Sequence, residues 1–222
     1  MRPMSTPDDL AAENLLRRID HLVYATPDLE ATLADVEHRL GTRPSEGGRH
    51  PGRGTRNFLV AIGPSSYLEI LGPDRDQPEP AGPRWLRIDE LSEARLVRWA
   101  ANGADLPTLA SEAARKGVDL GAVTSGARTR PDGVALSWRY TDPLTIVEGC
   151  VVPFFIDWGV SPHPAGTSAP GPPIVDLRAE HPDPAHARRT LQALGLPLAV
   201  SRGAEPALIA TFRTATGDVE LR

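Results

Sequence analysis

Two residues whose side chains bind metals or transfer protons lie near the two ends of one short segment. His21 is in the apolar stretch IDHLVYA, and Glu69 is in a second apolar stretch, SYLEIL. Imidazole and carboxylate groups are common ligands of divalent metals and common general acids and bases. Alone, His21 is equally compatible with a buried core position. Because strand residues alternate between two faces, Glu69 faces either solvent or a cleft; we predict that both residues line a cleft.

The segment 47–57, GGRHPGRGTRN, has an unusual local composition, with four glycines, three arginines and one histidine. Glycine allows the backbone to approach a ligand closely, and arginine binds carboxylate or phosphate through two parallel hydrogen bonds. We predict that Arg49 and Arg53 bind an anionic substrate and that His50 is a general base or a further metal ligand. The alternative is a flexible surface turn.

Four tryptophans fall between residues 85 and 158, namely Trp85, Trp99, Trp138 and Trp158. Aromatic side chains fill cores or line apolar pockets. We predict that Trp99 and Trp158 contact the substrate, with core packing as the alternative. The single cysteine, Cys150, lies in an apolar run and is expected to be a small buried residue.

Three helices are predicted from apolar residues at helical spacing, each ending at a glycine. They begin at Pro27, near Asp105 and at Pro184, and they end at Gly41, Gly117 and Gly195. A strand-like run precedes each helix, at 19–25, 94–101 and 174–179. Further strand-like runs follow at 57–62, 66–71, 133–140, 145–158, 198–201, 207–214 and 218–222.

The order strand, helix, strands occurs three times, which indicates a repeated module. The predicted organisation is an N-terminal tail (1–16), two paired modules within 17–160 (17–74 and 84–160), a proline-rich linker (161–173) and a third, degenerate module (174–222). The predicted fold class is α+β, with repeated βαβββ modules; curved mixed sheets that surround a cleft are what the family resemblance given below implies.

Charge and composition exclude several classes of protein. The net charge is −5 and no basic cluster is present, which argues against nucleic-acid binding. The sequence has neither a membrane-spanning apolar run nor a signal-peptide pattern, and a single cysteine cannot form an intramolecular disulfide. We therefore expect a cytoplasmic protein, and the high arginine-to-lysine ratio is typical of a GC-rich bacterial genome.

The segments DHLVYATPDLE, GGRHPGRGTRN and YLEILGPD, followed by PFFIDWG and HP, resemble the glyoxalase-like branch of the vicinal oxygen chelate superfamily. In that superfamily two βαβββ modules pair, and the first and last strands of each supply metal ligands. The resemblance implies ligands at His21, Glu69 and Asp157. The fourth position falls at Val97 or Arg98, neither of which is an ordinary ligand. An ion pair between Asp157 and Arg98 is the alternative to a metal there.

Two functions follow from this resemblance. In the first, the protein is an enzyme in which a divalent metal ion (Zn, Mn, Ni or Fe) polarises adjacent oxygens of a small substrate for lyase or isomerase chemistry, with Glu69 or His50 transferring the proton. In the second, the same cleft binds or sequesters a small molecule without a metal. The expected partner is a small molecule, with no nucleic acid or membrane. A homodimer is a further expectation, because exposed strand edges at the third module would favour a dimer or an intramolecular cap. A non-catalytic assembly module is a third alternative.

Overall fold

The protein is described by a computed structural model covering residues 7–130 and 133–222. Within these ranges no helix has the length and apolarity that crossing a membrane requires. The α-helices are α1 (Pro7–Leu16), α2 (Leu29–Leu40), α3 (Leu106–Arg115) and α4 (Pro184–Ala193), with short 3-10 helices at Trp85–Glu90 and Pro164–Gly166.

The strands form two sheets. They are β1 (Ile19–Ala25), β2 (Ser45–His50), β3 (Thr55–Gly63), β4 (Ser66–Pro73), β5 (Arg95–Asn102), β6 (Val123–Thr129), β7 (Ala135–Thr141), β8 (Phe154–Asp157), β9 (Ala169–Pro170), β10 (Ile174–His181), β11 (Ala199–Arg202), β12 (Ala207–Thr214) and β13 (Gly217–Leu221). In the described chain, β1–β9 form the larger sheet and β10–β13 the smaller one.

The larger sheet consists of two modules with the same internal order. Its strands run β2-β3-β4-β1-β5-β8-β7-β6, so β1 and β5 meet at the centre. β1 pairs parallel with β4, β5 pairs parallel with β8, and the two central strands are antiparallel. The two outer edges approach each other, and Arg128 on β6 donates a hydrogen bond to the carbonyl of Gly47 on β2. The predicted α+β fold with a curved mixed sheet is confirmed.

Local sequence explains why the helices lie where they do. Asp28 caps α2 by accepting a hydrogen bond from the backbone N–H of Ala31, and Gly41 ends that helix at a positive φ of 71°. Asp105 and Asp183 cap α3 and α4 in the same way. The apolar faces of the helices pack on the convex side of the sheets, which leaves the concave side free for a cavity.

The third module has the predicted element order but a different strand order, β11-β10-β12-β13. Its first strand lies inside its sheet, whereas β1 and β5 lie at the ends of their modules. It packs against the larger sheet rather than joining it: the Leu96 N–H donates to the carbonyl of Arg222 at 2.9 Å. Buried residues of both sheets form one continuous core.

Several predicted boundaries differ from the structure. The glycine-rich segment 47–57 is not a single loop, because residues 45–50 form β2 and Thr55 begins β3. The predicted strand 145–158 is only β8, because Glu148 and Gly149 have positive φ angles of 51° and 65° and turn the chain. Strand β6 was not predicted. The segment predicted as a linker contains a 3-10 helix and β9, which pairs with β3. Residues 1–6 of the predicted tail lie outside the described residues.

Candidate functional site

A cavity of about 280 Å³ opens on the concave face of the larger sheet. Strand alternation explains its composition. Leu22, Leu68 and Ile70 point to the helical side and are buried in the main core, whereas His21, Tyr67 and Glu69 point into the cavity. The sequence prediction that His21 and Glu69 face one cleft therefore agrees with their placement.

His21 lies between two carboxylates at the floor of the cavity. Its Nδ1 is 2.7 Å from Oδ1 of Asp20, and its Nε2 is 3.8 Å from Oε2 of Glu69. Asp20 is fully buried, and the other two residues are each 4 % exposed. The ring stacks on Tyr67 with 4.7 Å between centroids. Because Asp20 occupies Nδ1, the Nε2 atom is the one available to the cavity and to Glu69.

Asp20 is held by three donors. Besides His21, its Oδ2 accepts hydrogen bonds from Nε1 of Trp158 at 3.0 Å and from Nε2 of His163 at 3.2 Å. Nδ1 of His163 accepts from the backbone N–H of Ala165, which places the ring proton on Nε2. Burial alone would raise the pKa of Asp20, but the hydrogen bonds from His163 and His21 hold that pKa below its ordinary value. Asp20 is therefore an ionised carboxylate that fixes the His21 ring.

Glu69 is oriented by a neighbouring amide. Nδ2 of Asn57 donates to Oε1 of Glu69 at 2.6 Å, which leaves Oε2 facing His21. Oδ1 of Asn57 is buried without a hydrogen-bond partner. Arg128 also lines the cavity, close enough to Glu69 for the carboxylate charge to act on its guanidinium, while burial lowers the pKa of Arg128. The Glu69 carboxylate, which is the candidate base, and the Arg128 cation therefore face the same cavity.

The predicted anion-binding residues also reach the cavity. Arg49 lines it but is ion-paired with Asp74 and Asp76, at 3.2 and 2.6 Å. Arg53 lines it as well, with its guanidinium carbon 4.9 Å from the centre of the Trp85 ring. No carboxylate in the described chain forms an ion pair with Arg53.

His50 lies at the cavity rim, and burial lowers its pKa. Its Nδ1 is 2.9 Å from the hydroxyl oxygen of Thr55, so only Nε2 is free of this contact. A histidine held in its neutral form can accept a proton, as the sequence analysis predicted. No hydrogen bond joins His50 to Glu69 in the described residues, so its role as a general base stays a prediction.

Aromatic residues form the remaining walls. Trp158 and Trp138 lie with ring centroids 5.1 Å apart, and Phe154 contacts the edge of His21. Gly126 lies directly beneath the Trp138 ring, where a Cβ atom would be 2.5 Å from the ring. Trp158 is therefore a cavity residue, and its contact with a substrate stays a prediction.

Trp99 does not line the cavity. It is fully buried on the helical side of β5, and its Nε1 donates to the carbonyl of Val151 at 2.9 Å. Its neighbour Ala100, on the other face of the strand, packs with Phe154 on the cavity side. Trp99 is therefore a core residue, which was the alternative in the sequence analysis. Its side chain does not reach the cavity and cannot contact a substrate there.

Asp157 is also separated from His21 and Glu69. It alternates with Ile156 and Trp158, which line the cavity, so its side chain is on the opposite face of β8. Its carboxylate accepts a hydrogen bond from the Gly159 N–H at 2.9 Å. The alternative ion pair with Arg98 is not formed either, because Arg98 donates to the carbonyls of Val97 and Pro143.

Strand register explains why the second module contributes no ligand. His21 pairs with Tyr67, and Glu69 follows two residues later. In the second module Ala100 pairs with Phe154, and Ile156 follows two residues later. Ala100 and Ile156 therefore occupy the positions equivalent to His21 and Glu69. The aligned motif FIDWG thus misplaced the equivalent residue by one, which moved it to the other face.

The donor set does not fit the divalent metal that the resemblance implies. Catalytic zinc sites use three protein ligands, whereas this cavity supplies His21, Glu69 and, at its rim, His50, and its second half adds the Arg128 cation and aromatic side chains rather than ligands. No group of three or more His, Cys, Asp or Glu residues in residues 7–130 and 133–222 is arranged to hold a metal ion. We therefore derive no step through a metal.

The site residues that were not predicted include Asp20, Asn57, Tyr67, Arg128 and, as a hydrogen-bond partner of Asp20, His163. A signal for Asp20 was present, since a carboxylate directly before a candidate ligand in a buried strand needs a partner. Arg128 gave no signal, because the strand that carries it was not predicted.

Comparison with known proteins agrees with this architecture. Residues 19–195 match the model of a family described as a glyoxalase-like domain. The chain belongs to this glyoxalase-like family. It is accordingly a member of the vicinal oxygen chelate superfamily, as its sequence motifs predicted. No curated protein matches the sequence.

Of two similar solved structures, the first supports the fold, and the second has a TM-score below 0.5 and carries no argument. A hypothetical protein from Staphylococcus aureus is similar over 89 % of this chain and 92 % of its own, with a TM-score of 0.64 and 15 % identity. A methylmalonyl-CoA epimerase from Streptomyces coelicolor is similar over 66 % of this chain and 98 % of its own, with a TM-score of 0.42 and 22 % identity. At these identities the likeness concerns the fold alone.

Proposed function

We propose that this glyoxalase-like protein is an enzyme that transfers a proton on a small anionic substrate carrying adjacent oxygens, such as an enolisable 2-oxo acid. The observation that carries the proposal is the row Asp20–His21–Glu69, buried at the floor of a cavity whose opposite wall holds Arg128. General acid–base groups need such placement beside the substrate.

Glu69 and His21 have complementary roles in this proposal. Oε2 of Glu69 removes a proton from the carbon next to the substrate carbonyl, and Nε2 of His21 receives or returns it. Asp20 stabilises the imidazolium that forms, since it is an ionised carboxylate bonded to Nδ1. Asn57 keeps Glu69 in one orientation.

Charge on the developing enolate is balanced by the groups across the cavity. Arg128 supplies a partly desolvated cation, and electrostatic stabilisation is strongest where water is excluded. Burial raises the pKa of Tyr67 well above its ordinary value, so its phenol keeps its proton and can donate a hydrogen bond to an oxyanion. Arg53, with no carboxylate partner in the described chain, receives the substrate carboxylate.

A second candidate is a protein that binds or sequesters a small anion without transforming it. The aromatic wall of Trp138, Trp158 and Phe154 favours tight binding of a planar ligand. The metal-assisted lyase or isomerase predicted from the sequence is not proposed, because the described residues do not supply the ligands of a catalytic divalent metal site.

The test is hydrogen–deuterium exchange of the substrate, followed by proton NMR. Pyruvate and 2-oxobutanoate are incubated with the protein in deuterium oxide, and loss of the signal next to the carbonyl is measured. We expect exchange with wild type, a loss of about 10²-fold or more with Glu69→Gln, and wild-type rates with Glu46→Gln, a control on exposed β2 surface. Binding without exchange would assign the second candidate instead.

A further inference from the structure

A second, larger concavity adjoins the cavity. It is a groove of about 940 Å³ between the 3-10 helix Trp85–Glu90, strand β5 and the segment 144–150, with Glu205 and Pro206 of the third module at one end. Arg53 and Trp85 line both the groove and the cavity. These two residues therefore form the boundary through which one ligand can occupy both spaces.

The groove exposes apolar surface that the fold does not cover. Leu144 is 54 % exposed and Ile146 is 60 % exposed, two of five large hydrophobic residues that are exposed in the described chain. Val97, Leu91 and Leu86 continue the apolar surface along the groove. Exposed apolar residues gathered around one groove indicate a ligand surface rather than ordinary surface variation.

The boundary between the two spaces lacks a polar partner. Nε1 of Trp85 is buried without an acceptor in the described structure. The Arg53 guanidinium lies over the same ring and has no carboxylate partner. An unmet N–H donor costs free energy when it is buried, and the Arg53 cation over the same ring is open to the carboxylate of an anionic ligand.

The other charges of the groove wall select against competing ligands. Arg84 is neutralised by Asp89 and Glu79, and Arg87 by Glu90. Arg95 and Arg98 line the floor and form no ion pair in the described chain, and Glu205 is one carboxylate against them, so the unpaired charges of the groove are mainly positive and favour an anion. Leu86 and Arg87 both have φ of 55°, a strained conformation for residues other than glycine. Such strain is concentrated at ligand sites.

We infer that the groove binds the hydrocarbon chain of an amphipathic carboxylic acid whose polar end reaches Arg53, Trp85 and the cavity. The preferred substrate is thus an acid with a medium or long chain, and three- and four-carbon 2-oxo acids supply only the reacting end, which the cavity alone accommodates. This inference deepens the proposed function and rests on it for the position of the reacting end. Chain binding itself is independent of the chemistry at Glu69.

The test measures binding of saturated fatty acids from butanoate to dodecanoate by isothermal titration calorimetry, below their micelle concentrations. We expect affinity to rise about threefold to fourfold for each added methylene while the chain remains in the groove. Ile146→Asp and Leu144→Asp should each weaken dodecanoate binding at least tenfold and leave butanoate binding unchanged. Val160→Asp, at a fully exposed position away from the groove, is the matched control and should behave as wild type.

Three results would overturn the inference: an affinity that does not depend on chain length, groove variants that bind dodecanoate like wild type, or a dimer in sedimentation analysis that Ile146→Asp dissociates and dodecanoate does not affect. The last would assign the groove to a second copy of the chain. Failure of the proposed function has a different signature, because dodecanoate would bind in the groove while no 2-oxo acid exchanged its protons.

Discussion

Replacing Asp20 by asparagine tests whether this carboxylate sets the state of His21. The change keeps the shape of the side chain but turns one acceptor oxygen into an NH₂ donor. Oδ2 accepts from both Trp158 and His163, so the asparagine carbonyl is expected to face those two donors. The NH₂ group then faces Nδ1 of His21, which must become an acceptor. The ring proton therefore moves to Nε2, on the cavity side.

The loss of stability expected for Asp20→Asn follows from the three hydrogen bonds that Asp20 accepts. A hydrogen bond to a charged group contributes about 1.5–3 kcal/mol and a neutral one about 0.5–1.5 kcal/mol. Each of the three therefore loses about 1 kcal/mol, or about 3 kcal/mol in all. For a protein of this size, 1 kcal/mol corresponds to about 2–4 °C in Tm, so Asp20→Asn should lower Tm by about 6–12 °C.

Three assays follow the change: calorimetric unfolding for stability, ¹⁵N NMR of labelled histidine for the tautomer, and deuterium exchange of 2-oxobutanoate for proton transfer. With Nε2 protonated, His21 can no longer receive the proton, and exchange should fall by about 10²–10⁴-fold. Asp157→Asn is the matched control. It makes the same chemical change outside the cavity, where the carboxylate accepts from the Gly159 N–H, and it should leave exchange unaltered.

The reasoning about Asp20 would be refuted by an Asp20→Asn variant that keeps the proton of His21 on Nδ1 and exchanges substrate at the wild-type rate. If Asp20→Asn had the same Tm as Asp157→Asn, the expected loss of stability would be contradicted as well.

The remaining predictions concern the cavity rim and the core. Burial holds the pKa of His50 below its ordinary value, so the unfolded state binds a proton at this residue more readily than the folded state. The free energy of unfolding should therefore decline as pH falls below about 6.5. His50→Gln should make this pH dependence weaker in urea titrations. A Cβ atom at Gly48 would lie 3.2 Å from the Arg128 guanidinium, so Gly48→Val should weaken pyruvate binding in calorimetry, whereas Gly82→Val, in open space, should not. Trp99→Phe loses one buried hydrogen bond and should cost about 1–3 kcal/mol of stability without changing exchange; a matching loss of exchange would return Trp99 to the site.

The fold could be predicted because most of its helices and strands are determined by short local stretches of sequence. Capping aspartates, terminal glycines such as Gly41 and helical spacing of apolar residues define α2–α4, and their repetition reveals the modules. Strands β2 and β6 were missed because their sequences, SEGGRH and VTSGART, lack the β-branched or aromatic alternation typical of strands. They exist because neighbouring strands and the closure of the sheet hold them.

Half of the site could be predicted and half could not. His21 and Glu69 lie on strands whose apolar runs define their own register, so their common face follows from alternation. Asp157 was wrongly grouped with them because a shift of one residue along a strand changes the face, and no local signal fixes that register. Arg128 reaches the cavity only because the two edges of the sheet meet, a contact between distant segments.

The central claim is that side chains of this protein, without a metal ion, catalyse the proton transfer. The most direct measurement is the rate of deuterium exchange into 2-oxobutanoate after exhaustive chelation, repeated with added Zn, Mn, Ni and Fe(II) and accompanied by elemental analysis. The account predicts a rate that chelation and added metals leave unchanged and that Glu69→Gln abolishes. Exchange that disappears on chelation and returns with one equivalent of a single metal would contradict it.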